Sequence, residues 1–185
     1  KNPDLVISIG GDGTILEAVH QYLNVDCCFV GIHTGTLGFY TDYQVDEVDQ
    51  FIKDVTSRQF KTMKRYMLEI KINKKEFLDC IDRATLLVRE GEKKPIIIEI
   101  TDNSMELRID SAMGSMNENI DIDKEGKDIL IGFNPRFLID ALKVIDDETI
   151  SIYLVNPKAP CFIRDDEENY TYLILPVNIN QNQAR

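Results

Sequence analysis

The stretch RYMLEIKINKKEF, residues 65–77, marks a change of pattern in this sequence of 185 residues. Before it, short apolar runs alternate with amphipathic helical segments and glycine-bearing loops, which is typical of a parallel α/β sheet. After it, helical segments alternate with groups of three strands, which is typical of an α+β fold. No Gly-, Pro- or Ser-rich spacer separates the two patterns. We therefore expect two regions, residues 1–72 and residues 73–185, that join beside a strand.

The composition is that of a globular protein, with 43% hydrophobic and 29% charged residues. The net charge of −11 excludes a uniformly basic nucleic-acid binder, although a local basic face remains compatible with it. The four cysteines form no C-x-x-C pair and only two histidines are present, so we expect no zinc, redox or histidine-rich metal site. No apolar run approaches the roughly 18–20 residues that span a bilayer. We expect a cytoplasmic protein that does not associate with membranes.

The front region reads as one βαβ unit. DLVISI (4–9) is a predicted buried strand, GGDGT (10–14) a turn, ILEAVHQYL (15–23) a helix and CCFVGI (27–32) a second strand. A second glycine-bearing loop, HTGTLGF (33–39), follows that strand. Both loops would lie at the carboxyl ends of neighbouring parallel strands, where open α/β sheets bind ligands.

The GGDGT loop has a structural and a functional interpretation. A glycine cluster between a strand and a helix is often only a tight turn. Alternatively, glycines let backbone N–H groups approach a phosphate, and the helix N-terminus that follows favours anions. Asp12 would repel a phosphate, so its carboxylate suits a hydroxyl group or a metal ion better.

The pair of motifs GGDGT and GIHTGTLGFYTD (31–42) resembles the N-terminal half of bacterial NAD kinases, over residues 1 to about 71. Those enzymes phosphorylate the adenosine ribose 2′-hydroxyl of NAD with ATP and a divalent metal. The resemblance implies that Asp12 orients or deprotonates this hydroxyl. It also implies that a loop near the nucleotide phosphates is formed by Gly10, Gly11, Gly13 and Thr14. A pocket on the adenine side would be lined by Phe39 and Tyr40.

The resemblance to NAD kinase is partial. After residue 72 the sequence has no counterpart of that family's Asn-Glu motif or of its Gly- and Thr-rich loop, so the positioning that phosphoryl transfer needs should fail. ATP, NAD and magnesium are expected only if the segment functions, and otherwise no cofactor is expected. The family's first βα unit is also missing, which leads us to expect missing N-terminal sequence and association through an uncovered flank of the sheet.

The rear region contains a predicted internal repeat. From residue 68 to residue 177 the order strand, helix and three strands is predicted twice, which defines two βαβββ repeats. At the start of the second predicted helix, Asn134 is a residue type preferred at the N-cap, and Pro135 is preferred at the first helical position. On the pattern alone, an acidic α+β scaffold without a further role is the favoured interpretation.

Residues 73–178 resemble the third, C-terminal domain of the bacterial DNA polymerase III β subunit, the sliding clamp. The stretches that carry the resemblance are KKEFLDCIDRATLLVREGEKKPIIIEI (74–100), GFNPRFLIDALKVID (132–146) and YLILPV (172–177). In that family three such domains form a protomer, and two protomers close a ring around duplex DNA. The ring contacts phosphates without reading sequence and has no catalytic residues.

The resemblance implies three surfaces on the rear region. The first is part of a cleft for linear motifs of polymerases and repair proteins, and it is formed by Leu173, Leu175, Pro176 and Val177. Asn178 stands where the family often has a basic residue. The second is a protomer edge at Leu86 and Leu87, which core packing would explain as well. The third is a DNA-facing side with Lys75, Arg83, Arg136 and Lys143, which surface solvation would also explain.

The fold class predicted from the sequence is thus a partial, NAD-kinase-like α/β unit followed by an α+β clamp domain, and the whole chain looks like a chimera. Three functions are compatible with it: a clamp-derived interaction module, an NAD kinase with a replaced C-terminal domain, and an inactive engineered or spurious fusion. Partners would be proteins with clamp-binding motifs, and duplex DNA only as part of a closed ring. A homo-oligomer is a further expectation.

Overall fold

A computed structural model describes residues 2–22, 24–35, 38–89, 91–92, 94–164 and 171–179. The chain divides into two compact units, Lys1–Lys64 and Arg65–Arg185. The boundary between the units falls between residues 64 and 65, whereas the sequence predicts it after residue 72. The reason is that the strand containing LEIKI pairs inside the second unit. None of the helices in the described ranges is long and apolar enough to cross a membrane.

The first unit begins with the predicted βαβ arrangement: strand β1 (Leu5–Gly10), helix α1 (Asp12–Gln21) and strand β2 (Cys28–His33). The two strands are parallel, as expected. The helix starts at Asp12, so the prediction that all of GGDGT is a turn was wrong. The carboxylate at Asp12 suits the positive end of the helix dipole, which favours an early start. Leu23, the last residue of the predicted helix, lies outside the described residues.

The rest of the first unit consists of a two-residue strand, β3 (Tyr43–Gln44), a 3₁₀ turn (Val45–Glu47) and helix α2 (Val48–Ser57). Apolar residues at helical spacing in VDEVDQFIKDVTSRQF predict a single helix over residues 45–60, and this prediction was wrong at both ends. Its C-terminal limit is set at Arg58, whose φ of 55° is left-handed and ends the helix. Strand β3, which the sequence did not predict, pairs in parallel with β2 and gives the sheet order β1-β2-β3.

The helices of the first unit cover opposite faces of its sheet. Val30 forms a small core with Phe51 of α2. On the other face, a Cβ added at Gly31 would lie 2.9 Å from Cδ1 of Ile15 on α1. Since successive strand residues point to opposite faces, α1 packs against the face that Gly31 belongs to and α2 against the face of Val30.

The second unit follows the order strand, helix, three strands, and this order occurs twice with one short strand between. Apolar residues at helical spacing predict the first helix over residues 74–88, but it ends at Thr85. The short strand Asp123–Glu125 was not predicted. The elements are β4 (Leu68–Asn73), α3 (Lys74–Thr85), β5 (Ile96–Thr101), β6 (Ser104–Ser111), β7 (Gly114–Asp121), β8 (Asp123–Glu125), β9 (Ile129–Phe133), α4 (Pro135–Lys143), β10 (Thr149–Leu154), β11 (Cys161–Arg164) and β12 (Thr171–Ile174).

The strands of the second unit form two antiparallel sheets, with orders β12-β11-β10-β4-β8 and β7-β6-β5-β9. Both helices begin at an asparagine cap. The Asn73 side chain accepts a hydrogen bond from the Glu76 N–H, and the Asn134 side chain accepts one from the Arg136 N–H. Each cap satisfies a backbone donor that the helix itself leaves unpaired, so the sequence fixes where α3 and α4 start.

Among the described residues, one hydrophobic core joins both sheets and both helices of the second unit. Phe77 and Ile81 of α3 are fully buried in it, together with Leu142 of α4. Ile70 of β4 and Ile131 of β9 are also fully buried. Apolar side chains from each layer therefore pack together in one core within this unit.

The cysteines provide a test of this packing. Cys28 is exposed, whereas Cys80 and Cys161 are buried in the core of the second unit. Burial, helped by the nearby Glu118 carboxylate, raises the pKa of the Cys80 thiol to about 12, and burial raises the pKa of Cys161 to about 12. Because alkylation needs a thiolate, iodoacetamide should label Cys28 in the native chain and reach Cys80 and Cys161 only after unfolding. Peptide mass spectrometry measures this, and equal native labelling of Cys28 and Cys80 would contradict the packing.

Candidate functional site

Asp12 connects the two glycine-bearing loops of the first unit. Its carboxylate accepts hydrogen bonds from the backbone N–H of Phe39, at 2.9 Å to each oxygen, and from that of Tyr40, at 2.8 Å to Oδ1. The loops also meet through the main chain, where the Thr34 N–H donates to the Gly10 carbonyl at 3.2 Å. The structure therefore brings together two motifs that are separate in the sequence.

These contacts give Asp12 a positioning role in the structure. Hydrogen bonds from backbone donors to a carboxylate are charge-assisted and hold the acceptor in one orientation. Here they fix the backbone of Phe39 and Tyr40 against the start of α1. The Phe39 side chain is 39% exposed, whereas Tyr40 is buried. Of the two aromatic residues, Phe39 is thus the one whose ring a ligand can reach.

The glycines of the first loop differ in what surrounds them. A Cβ added at Gly10 would lie 2.3 Å from Oγ1 of Thr14, so a side chain there would displace Thr14. No atom of the described residues lies within 4 Å of a Cβ added at Gly11 or Gly13. Gly10 is therefore required by packing, while Gly11 and Gly13 leave open space at the N-terminus of α1.

The described residues do not build a magnesium site. Among them, no group of three or more His, Cys, Asp or Glu side chains is arranged to hold a metal ion. Asp12 supplies one carboxylate, and backbone donors already bind it. The residues present therefore do not fit a protein-held metal at this loop, and we derive no step through one.

A polar cavity that the sequence did not predict lies at the carboxyl end of β2. Its volume is about 320 Å³. The imidazole of His33 is 9% exposed, and its two ring nitrogens have no hydrogen-bond partner among the described residues. A histidine directly after a buried apolar strand was the only sequence signal for it. The residues that line the cavity are His33, Gly38, Thr41, Asp42, Tyr43, Gln44 and Glu47.

The loop contact of Asp12 can be tested by Asp12→Asn. The amide group of asparagine would turn an N–H₂ donor toward backbone donors, so at least one hydrogen bond is lost, at a cost of about 1–2 kcal/mol. We expect the Phe39 and Tyr40 amide hydrogens to exchange with solvent about tenfold faster. Hydrogen exchange measured by NMR gives this directly. The control is Asp26→Asn, an exposed carboxylate near β2, and unchanged protection in Asp12→Asn would contradict the contact.

In the second unit, the predicted cleft residues lie along and after β12. Leu173 and Leu175 are 44% and 48% exposed, on either side of the buried Ile174. The segment is then tied to β9, because the Val177 N–H donates to the Gly132 carbonyl at 2.8 Å. Pro176 is half-buried, as is Val177, and Asn178 is exposed. Two leucines are thus displayed to solvent from a backbone that is fixed at both ends.

The predicted protomer edge contains two different environments. Leu86 is 75% exposed just after α3 ends. Leu87 is half-buried and packs against the core of the second unit, and its carbonyl accepts a hydrogen bond from the Ser111 hydroxyl. Leu86 is therefore the residue that a neighbouring molecule can reach, whereas core packing accounts for Leu87.

The four predicted DNA-facing cations are all exposed and lie on α3 and α4, which pack against each other. Arg83 is engaged by Glu118 of β7, with Nε 2.8 Å from Oε1 and a second contact to Oε2. This pairing lowers the pKa of the Glu118 carboxyl and raises the pKa of Arg83. The charge of Arg83 is thus balanced locally. Of the predicted set, Lys75, Arg136 and Lys143 remain as candidates for a phosphate contact.

The family of the second unit follows from comparison with known proteins. The family described as the DNA polymerase III beta subunit, C-terminal domain, matches residues 64–178. This match covers more than half of the chain, which therefore belongs to that family. A DNA polymerase III beta subunit from Eubacterium rectale is 65% identical, over 67% of this chain and 33% of its own, with a TM-score of 0.61. The beta subunit from Streptococcus pyogenes is 30% identical over 67% of this chain and 34% of its own, with a TM-score of 0.58.

The first unit has different relatives. The family described as the ATP-NAD kinase N-terminal domain matches residues 1–60. NAD kinase 1 from Oceanobacillus iheyensis is 38% identical over 107 residues, which is 54% of this chain and 40% of that protein. The chain thus spans less than half of the NAD kinase and about a third of the clamp subunits that it matches. It is a chimera that joins an NAD kinase N-terminal segment to a sliding-clamp C-terminal domain, as the sequence predicted.

Proposed function

We propose that the second unit is a protein-interaction module that accepts a short linear peptide at Leu173 and Leu175. The single observation that carries this proposal is the exposure of these two leucines on either side of the buried Ile174. Membership in the clamp C-terminal domain family supports the same use of this segment. Polymerases and repair proteins that carry clamp-binding motifs are the partners that the family resemblance suggests.

The geometry of the segment supports a role in binding. Leu173 lies in β12, an edge strand of its sheet, and the buried Ile174 anchors the backbone next to it. After Leu175 and Pro176, the Val177 N–H bonds to Gly132, whose missing side chain lets Val177 approach. Rigid exposed leucines lose little conformational entropy when a partner covers them, so they make effective anchors for an apolar peptide side chain.

Other features of the clamp family apply to this chain only in part. We infer that the two βαβββ segments are an internal repeat, and that the exposed cations Lys75, Arg136 and Lys143 face DNA only if the unit is part of a closed ring. The chain spans about a third of the length of the clamp subunits that it matches. A cytoplasmic location suits both parent families.

Peptide binding can be measured by fluorescence anisotropy with a labelled peptide that carries a hydrophobic clamp-binding motif. We expect Leu175→Ala to weaken binding about tenfold, because a leucine side chain that becomes buried contributes roughly 1.5–3 kcal/mol. Pro176→Ala should weaken it less. The matched control is Met113→Ala, an exposed apolar residue in the turn between β6 and β7, which should bind like the unmodified chain. Equal affinity of Leu175→Ala and Met113→Ala, or no binding by the unmodified chain, would contradict the proposal.

A second candidate function is phosphorylation of NAD with ATP, and the contact of Asp12 with both loops favours it. The incomplete family match argues that any such activity is low, since residues 1–60 carry only the N-terminal part of the kinase. If this function holds, the chain forms NADP from NAD, ATP and magnesium, and Asp12→Asn abolishes the product while Asp26→Asn does not. An enzymatic cycling assay for NADP measures this. Absence of NADP with the unmodified chain would exclude this candidate.

A further inference from the structure

A run of exposed cations lies between helix α2 and strand β4. Residues 58–67, the basic segment, contain four cations and no carboxylate in a chain whose net charge is −11. The cations are Arg58, Lys61, Lys64 and Arg65, and all four are exposed. Within the described part of the chain, no carboxylate forms an ion pair with any of them. The basic segment is therefore a local positive patch whose charges a partner can reach.

Exposed rings and apolar side chains alternate with these cations. The exposed fractions of Phe60, Met63 and Tyr66 are 50%, 73% and 62%. The Lys127 ammonium, from the connection between β8 and β9, lies 4.8 Å from the centre of the Tyr66 ring. Lys127 is itself exposed, so a fifth cation stands beside an accessible ring. Aromatic faces next to positive charge are the combination that binds a nucleobase together with its phosphate.

The backbone of the basic segment narrows the choice of polyanion. Residues 59–67 form neither helix nor strand, so the segment is not the amphipathic helix that binds a membrane surface. Duplex DNA keeps its base faces stacked inside, so it would leave the rings of Phe60 and Tyr66 unused. A single strand exposes both its phosphates and its base faces, so it can use the cations and the rings together.

We propose that the basic segment binds single-stranded nucleic acid. Its cations contact backbone phosphates, and the rings of Phe60 and Tyr66 stack on bases, so binding does not depend on the base sequence. The rest of the chain is acidic and repels a polyanion, which confines the contact to this segment. The proposal shares no residue with the peptide site at Leu173 and Leu175, and the two can fail independently.

The number of cations sets the expected salt dependence. Each phosphate contact to a single strand contributes about −0.7 to the slope of the logarithm of the association constant against the logarithm of the salt concentration. Four contacts predict a slope of about −3, so affinity should fall about 50-fold between roughly 50 and 200 mM salt. Two contacts would halve that slope.

Fluorescence anisotropy with a labelled oligothymidylate of about twelve nucleotides tests the charge contacts in the full chain. The double variant Lys61→Gln, Lys64→Gln should reduce the salt slope to about half that of the unmodified chain. The matched control is Lys158→Gln, an exposed lysine between β10 and β11, which should leave the slope unchanged. No binding by the unmodified chain at low salt, or equal slopes in the double variant and the control, would overturn the proposal.

Replacement of Phe60 tests the stacking contact. Phe60→Leu keeps an apolar side chain but removes the ring, so it should weaken binding about tenfold, whereas Phe60→Trp should retain it. Because Phe60 is exposed, the circular dichroism of both variants should match that of the unmodified chain. Equal affinity of Phe60→Leu and the unmodified chain would contradict stacking and overturn the proposal.

Two competitors separate the possible polyanions in the same assay. An oligouridylate of equal length should bind within about threefold of the oligothymidylate, because phosphates and base faces are common to DNA and RNA. A larger preference for either sugar would contradict contact through these groups alone. Displacement of the oligothymidylate by phosphatidylserine vesicles at equal anion concentration would overturn the proposal, because it would assign the segment to a membrane surface.

Discussion

The second unit depends on the pairing of one strand, β4, on both of its sides. β4 is antiparallel to β10, with Ile70 opposite Ile152, and antiparallel to β8, with Ile70 opposite Lys124. Its inward side chains, Leu68, Ile70 and Ile72, are almost completely buried. An interior strand cannot be removed without exposing the core and breaking two ladders of hydrogen bonds. The second unit must therefore include residues 68–73, whichever parent family supplied them.

This constraint explains why the chimera can fold. The NAD kinase match ends at residue 60 and the clamp match begins at residue 64, so residues 61–63 lie between them. The stretch from Arg58 to Tyr66 has no regular secondary structure, and its side chains are exposed. The join thus falls outside both hydrophobic cores, where a change of sequence costs little free energy. Each unit retains its own sheet, and the clamp unit retains its interior strand.

The amino-acid sequence predicts the regular parts of this structure well. Apolar periodicity places α3 and α4 and the long strands, and Asn134 and Pro135 mark the start of α4. Prediction from the sequence fails where contacts between residues far apart in the chain determine the local structure. The strands β3 and β8 are too short to leave a periodic pattern, and they form because β2 and β4 offer edges to pair with. The helix α1 starts at Asp12, earlier than its apolar residues indicate.

The candidate sites show the same division between local pattern and long-range contact. The motifs indicate Asp12, Phe39 and Tyr40 by type, but only the fold shows that Asp12 holds the backbone of the other two. Similarly, Arg83 looks like a free cation in the sequence, and its pairing with Glu118 appears only when α3 and β7 meet. A histidine after a buried strand is the only sequence signal for the cavity beside His33, because the other lining residues come from a loop, from β3 and from the turn after it.

The central claim is that a complete clamp-type domain begins just before β4, after an exposed join. Limited trypsin proteolysis followed by mass spectrometry tests this claim most directly. The account predicts first cuts at Arg58, Lys61, Lys64 and Arg65, which release a resistant fragment that starts near Tyr66. If the first cuts instead fell within β4 or α3 while residues 58–65 stayed intact, the second unit would not be an independent domain and the account would be wrong.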